Sequence, residues 1–259
     1  MKHLINSLIA FVAFVVLCLF SHTSQAQQYT GTSGLAHIPT GEMHHEGDAF
    51  IGVHFLNKAM MPDTGFLYLG EKYNTFDYYL ALTPFSWIEM SYVCTERRRA
   101  INEQTGQIQW SKDRYASIKI RPLKEGKYYP AVAIGCNDVL TTVFFKDRPD
   151  VQLYYMNVYV AATKTFNFSG NELGVTVAYR HFLRGYNAKW NGLVGGITFR
   201  PSFFPQWRLI AEYTGNEFLL GTDVLLWQHL RLQASLKDFK DANVGLCLQF
   251  NLLGKKYRY

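Results

Sequence analysis

After residue 20 the 259-residue chain has no apolar run near the length a membrane-crossing helix needs, about 18–20 residues. Any later span must therefore be built from strands. Charge is sparse, at 18% of residues against 48% hydrophobic. Cysteine is sparse too. Beyond the first 26 residues only Cys94, Cys136 and Cys247 occur, an odd number without metal-like spacing, so they read as apolar packing residues rather than a disulfide framework or a zinc site. No Gly-x-Ser-x-Gly elbow and no His-Glu-x-x-His helix occurs in the sequence. Nothing in it calls for a cofactor, and the chain reads as no enzyme.

What is present begins with Lys2 and His3, an apolar run from Leu4 to Phe20, and the small-residue exit Ser24-Gln25-Ala26 before Gln27-Gln28. That is the layout of a cleaved signal peptide over 1–26. A membrane anchor is the competing reading, at the short limit of a span. A lipoprotein signal is excluded by the bulky Leu17 before Cys18. The net charge of +6 and the pI near 9.0 come from basic residues spread among aromatics. For an exported chain this argues against nucleic acid and suits anionic lipopolysaccharide or an acidic glycan.

Alternation with period two recurs along the exported part. Leu230, Leu232, Ala234 and Leu236 fall on one face, and Arg231, Gln233, Ser235 and Lys237 on the other. After a turn, Val244, Leu246, Leu248 and Phe250 alternate with Gly245, Cys247, Gln249 and Asn251. Similar segments lie at about 49–57, 73–82, 86–95, 113–121, 129–137, 152–163, 172–181, 193–200, 206–214 and 217–226. With the last hairpin they predict an all-β, antiparallel up-and-down transmembrane barrel of about twelve strands over 49–259, preceded by a periplasmic segment 27–48. Strands near ten residues suit a tilted membrane strand better than a soluble sheet. Long links at 58–72, 96–112, 138–151 and 182–192 alternate with tight ones, which sets both termini in the periplasm. Aromatics at strand ends, Trp87, Trp110, Tyr128-Tyr129, Trp190, Trp207, Trp227 and Tyr257, suit interfacial girdles. The competing reading is the aromatic core of a secreted β-sandwich or lectin-like domain. Either Phe250 or Tyr259 serves as the terminal aromatic that the outer-membrane assembly machinery recognises.

Parity puts Asp77, Glu89, Lys119, Arg121, Arg180, Arg208, Glu212, Asp223, Arg231 and Lys237 on the lumen side. Mixed charges there either pair and plug a narrow lumen or line a polar path, in which case Lys119, Arg121, Arg180, Arg208 and Arg231 would contact an acidic polymer. Whether Gln27 to Glu46 plugs the lumen is open. Arg97-Arg98-Arg99 falls in a long external link, as a solvated loop or a contact for lipopolysaccharide phosphate or surface polysaccharide. His44-His45-Glu46 has metal-binding residue types, but neighbours on extended chain point opposite ways. Lys124-Glu125-Gly126 reads as a periplasmic turn, with Gly126 permitting a tight reversal, Pro122 and Pro130 ending the flanking strands, and room to dock an export partner. A barrel-borne serine hydrolase would need Ser and His side by side on the lipid face, and parity offers no such pair.

The stretch "GTSGLAHIPTGEMHHEGDAFIGVHF", with Gly34, Leu35, Pro39, Thr40, Gly47, Asp48 and Gly52, resembles the start of the YjbH-like family of exopolysaccharide-associated outer-membrane proteins. "YNTFDYYLALTPFSWIEMSYVCT", "DRYASIKIRPLKEGKYYPAVAIGCND" and "YVAATKTF" continue the likeness to about residue 181. The resemblance implies an outer-membrane barrel acting in polymer secretion or surface assembly rather than as an enzyme, while the basic charge balance points to outer-membrane lipid, lipopolysaccharide and an acidic exopolysaccharide as partners. Typical members are much longer and carry more than one barrel-like region, so this chain resembles a one-barrel version.

Overall fold

A computed structural model describes residues 27–64, 66–101, 105–141 and 153–254. The signal peptide, Tyr257 and Tyr259 lie outside the described residues. Alternation produces the strands β1 (Asp48–Leu56), β2 (Leu67–Tyr68), β3 (Glu71–Lys72), β4 (Thr75–Phe85), β5 (Ile88–Ile101), β6 (Ile108–Leu123) and β7 (Ala131–Thr141). They continue with β8 (Asn157–Phe168), β9 (Asn171–Phe182), β10 (Gly192–Arg200), β11 (Trp207–Tyr213), β12 (Phe218–Leu226), β13 (Leu230–Lys237) and β14 (Asp241–Asn251). β2 and β3 form a small hairpin in a link, and the other twelve form one closed antiparallel barrel. Closure is made by β1, whose Gly52 faces Tyr79 of β4 on one side and Cys247 of β14 on the other. A closed ladder leaves no unpaired edge, the condition for strands in hydrocarbon.

The two faces are inverted relative to a soluble protein. Ile51, Leu80, Ile134, Val160, Val177 and Leu248 are exposed on the outside, while Asp77, Glu89, Lys119, Arg180 and Asp223 are buried inside. Such an apolar exterior is the lipid-facing belt of a membrane barrel. Trp87, Trp110 and Trp227 sit exposed at strand ends, as expected of girdles. Trp190 does not. It is fully buried and its indole Nε1 donates to Glu217 Oε2 at 2.9 Å, because the six-residue 3-10 segment Gly185–Trp190 turns it into the barrel mouth.

Where a large ring lies against the inner wall, the facing residue is glycine. A Cβ at Gly52 would fall 2.3 Å from the Tyr79 ring, and one at Gly135 would fall 2.3 Å from the Tyr159 hydroxyl. Pro84 and Pro122, which lack a ladder donor, fall in the irregular stretches Leu82/Phe85 and Ile120/Leu123. Pro122 therefore does not end its strand, whereas Pro130 does precede β7 directly.

The link expected at 96–112 is mostly strand. β5 and β6 run for 14 and 16 residues, longer than the belt requires, and keep Arg97 opposite Ser111 and Arg98 opposite Trp110. Arg99 is the bulged residue between Arg98 and Ala100 in that ladder.

Candidate functional site

Residues 27–47 precede β1 and contribute no strand to the barrel wall. They fold inside the barrel, where Gln27, Thr30, Thr32, Ser33, His37, Ile38 and Thr40 are completely buried. The segment has no helix or strand, only the bridges Gln27–Ser33 and Gly34–Pro39, so many of its backbone groups need partners from the wall. Ser33 N donates to Glu89 Oε1, and Ser33 Oγ donates to Glu89 Oε2 at 2.9 Å. Lys119 Nζ donates to Ser33 O at 2.9 Å and Ser33 Oγ at 2.7 Å. Ser91 Oγ donates to Thr30 O at 2.7 Å, and Gly41 N donates to Thr163 Oγ1 at 2.8 Å. Ile38 N donates to Glu212 Oε2 at 3.3 Å. Leu35 and Ile38 pack with Tyr159, Ala161, Ala178, Val194 and Ile210 from the wall.

Two plug histidines are set by the same burial. Arg180 donates to His37 Nδ1 at 3.3 Å and to His37 O at 3.1 Å, and the His37 ring lies 4.7 Å from Tyr29 and 4.5 Å from Trp190. Burial, and then the Arg180 charge, hold the His37 imidazole well below the ordinary histidine range. His44 meets Gln27 at 3.2 Å and the Phe50 ring at 4.2 Å, and burial lowers it likewise. His45 turns outward beside Asp48, so the two adjacent histidines do point apart.

The end of the barrel with the longer links is capped. Met61, Phe66 and Tyr73 of the link 57–74 pack with Tyr154 and Tyr155 over the mouth. Asp63 ties this cap together, receiving Lys72 at 2.6 Å and Lys189 at 2.9 Å. Partial burial raises the Asp63 carboxyl, but these two ammonium groups outweigh it and hold it below the usual range. Glu217 accepts from Lys237 at 2.6 Å.

All five lumen cations expected from parity face inward, but their surroundings differ from an open path. Lys119, Arg180, Arg208 and Arg231 are buried to within 1% and each donates to protein acceptors, though Arg208 Nη2 and Arg231 Nε are left without a partner. Asp223 bridges Arg208, at 2.7 Å, and Arg231. Arg121 lies half-buried at the short-turn end, with Nη2 on Ser86 O at 2.7 Å. Asp77, Glu89, Glu212 and Asp223 are inside as expected, and Lys237 is half-buried beside Glu217. His54, Asp113, Asp138 and Glu217, also buried there, were not singled out from sequence. Parity within β1 and β6 would have found His54 and Asp113.

The arginine run is not a solvated loop. The Arg97 guanidinium lies 4.7 Å from the Tyr154 ring and 5.2 Å from Phe66. That of Arg98 lies 5.0 Å from Tyr73, 5.5 Å from Trp110 and 5.9 Å from Tyr68. The turn residues Lys124, Glu125 and Gly126 begin a seven-residue link, 124–130, rather than a tight reversal. Glu125 Oε1 accepts from Lys164 Nζ at 2.7 Å and Thr165 N at 2.8 Å, and Gly126 is small because the Tyr129 ring covers it.

A family model described as YjbH, exopolysaccharide biosynthesis protein YbjH, matches residues 26–253. No curated protein sequence matches the chain. Among solved structures, outer membrane phospholipase A from Escherichia coli aligns at 12% identity and a TM-score of 0.34, over 80% of this chain and 97% of that one. The calcium-bound dimer of outer membrane phospholipase from Salmonella typhi aligns at 12% identity and a TM-score of 0.35, over 80% and 91%.

Proposed function

The chain belongs to the YjbH family of exopolysaccharide biosynthesis proteins, and on that premise we propose that it is a non-enzymatic outer-membrane barrel that assists exopolysaccharide secretion or surface assembly. Its longer links face the medium and both ends of the barrel chain face the periplasm, the arrangement bacterial barrels adopt. Lipopolysaccharide and outer-membrane lipid surround it, and the assembly machinery inserts it.

One observation carries the form of this role: the segment 27–47 fills the lumen and is hydrogen-bonded to β5, β6, β8, β9 and β11. A polymer passing through would have to displace every one of those contacts. The filled lumen therefore favours an accessory barrel that scaffolds a secretion partner or organises polymer at the surface. Direct polysaccharide contact by Lys119, Arg121, Arg180, Arg208 and Arg231 belongs to a state in which the plug has left.

The test has two arms. In planar bilayers the protein purified from outer membranes should be closed, and a variant lacking residues 27–46 should conduct and be blocked by polygalacturonate. In cells, deletion of the gene should lower surface exopolysaccharide, and the intact protein should restore it. An open intact protein would sink the plugged form, and unchanged surface polymer would sink the role.

A further inference from the structure

Among the described residues, the outward face of the β5–β6 hairpin groups three cations beyond the belt. Arg98 on β5 and Lys112 and Arg114 on β6 share the outward face of the extended hairpin, with Trp110 between them. The register sets Cys94 opposite Arg114, Glu96 opposite Lys112 and Arg98 opposite Trp110, so three cations meet one carboxylate. Lys112 and Arg114 are exposed and make no ion pair among the described residues. At the same end of other strands most outward residues are apolar or aromatic, as at Phe76, Leu140, Tyr213, Phe218 and Leu236, with His181 on β9 the polar exception among the described residues.

Height decides what this face meets. Leu123 lies at the short-turn end of β6, and Arg114 is nine residues along the strand. At about 3.3 Å per residue and a tilt of about 40° this is about 23 Å of membrane normal, against about 25 Å for an apolar band. Arg114 is therefore at the far edge of the apolar band, and Lys112, at about 28 Å, and Arg98, opposite Trp110 at about 33 Å, stand at headgroup level beyond it. The Arg98 guanidinium is held among three rings, its backbone N–H donates to the Tyr73 hydroxyl at 3.0 Å, and its Nε has no partner.

We propose that Arg98, Lys112 and Arg114, with Trp110, form a lateral binding site for the phosphate groups of an outer-leaflet glycolipid. Ammonium and guanidinium donors pair with phosphate oxygens, and Trp110 sits among the adjoining headgroups. The occupant is a lipid rather than a soluble acidic polymer because the face looks sideways at headgroup height. The site rests on the orientation proposed above, with the longer links outward.

The probe is lipopolysaccharide with phosphorylated lipid A, titrated onto the detergent-purified protein by native mass spectrometry. Lys112→Gln/Arg114→Gln, which leaves the Arg98 ring stack in place, should bind about thirtyfold more weakly. Lys240→Gln, in a turn at the same end, should bind as the unaltered protein does. Equal binding by the double variant, or equal binding of dephosphorylated lipopolysaccharide, overturns the site. Competition by free polygalacturonate as strong as that by lipopolysaccharide overturns the lipid assignment. Orientation is read separately: Lys112→Cys in intact cells should take an impermeant maleimide above the background of the native thiols, and failure to label refutes the orientation itself.

Discussion

Lys119 on β6 donates from Nζ to both the carbonyl and the hydroxyl oxygen of Ser33, fastening the plug to the wall through a residue whose hydroxyl also reaches Glu89. Lys119→Met leaves the Glu89 carboxylate buried without its cation and Ser33 O without a donor. Removing one member of such a buried charged set costs about 3–5 kcal/mol. The expected outcome is bilayer conductance where the unaltered protein is closed, with new protease cleavage between residues 27 and 46. Glu89→Gln added to Lys119→Met should recover part of the loss. A closed, protease-resistant Lys119→Met protein would show that this contact does not hold the plug.

Asp223 is the shared anion of Arg208 and Arg231, and all three are buried. Asp223→Asn takes the one shared carboxylate from two buried guanidinium groups, and about 3–5 kcal/mol of barrel stability should go with it, measured by urea unfolding in micelles. Lys164→Met breaks an ion pair with Glu125 that is about a quarter exposed on both sides. It should cost at most about 1 kcal/mol. Similar losses from the two variants would contradict the burial argument.

The wall was legible because its residues obey a local rule. Lys119, Arg208 and Arg231 alternate with apolar neighbours and Arg180 with the outward Tyr179 and His181, and all four face inward. The β5–β6 hairpin was misread for the opposite reason: charges at Glu96 to Arg99 suggest a loop, but rings from Phe66, Tyr73, Trp110 and Tyr154 supply the surroundings that let Arg97 and Arg98 stay in the ladder. The plug could not be read locally at all. It has no period, and its burial comes from contacts as distant as Ser33 with Glu89 and Ile38 with Glu212, 56 and 174 residues apart.

Gly135 and Tyr159 are cross-strand partners on β7 and β8, and the hydroxyl end of the Tyr159 ring lies against the glycine. A methyl group at position 135 would meet the ring at 2.3–2.4 Å, so the ring must leave its place beside Leu35 and Ile38. Gly135→Ala should destabilise the barrel by about 1–3 kcal/mol through overpacking. Gly135→Ala/Tyr159→Phe removes the hydroxyl but keeps the ring, and should recover only a minor part. A neutral Gly135→Ala would mean that the ring has another place to go.

Acid should loosen the plug. His37 Nδ1 accepts from Arg180, Lys189 and Lys237 add positive charge nearby, and Glu212 is the acid that receives Ile38 N on the same segment. Seated, His37 stays neutral because burial and Arg180 hold its pKa well below the ordinary value. Released into water it takes up a proton near pH 6.5. The released form thus binds more protons below that value, so seating is fully favourable above about pH 6.5 and weakens by about 1.4 kcal/mol per pH unit beneath it, until the depressed pKa is reached. His44, lowered by burial in the same way, adds to the effect. Bilayer recordings should show openings at pH 5 that are absent at pH 7.5. His37→Gln/His44→Gln keeps an acceptor for Arg180 without a titrating ring, and its recordings should be the same at both values. Openings that persist at pH 5 in this variant would assign the acid response to carboxylates of the wall instead.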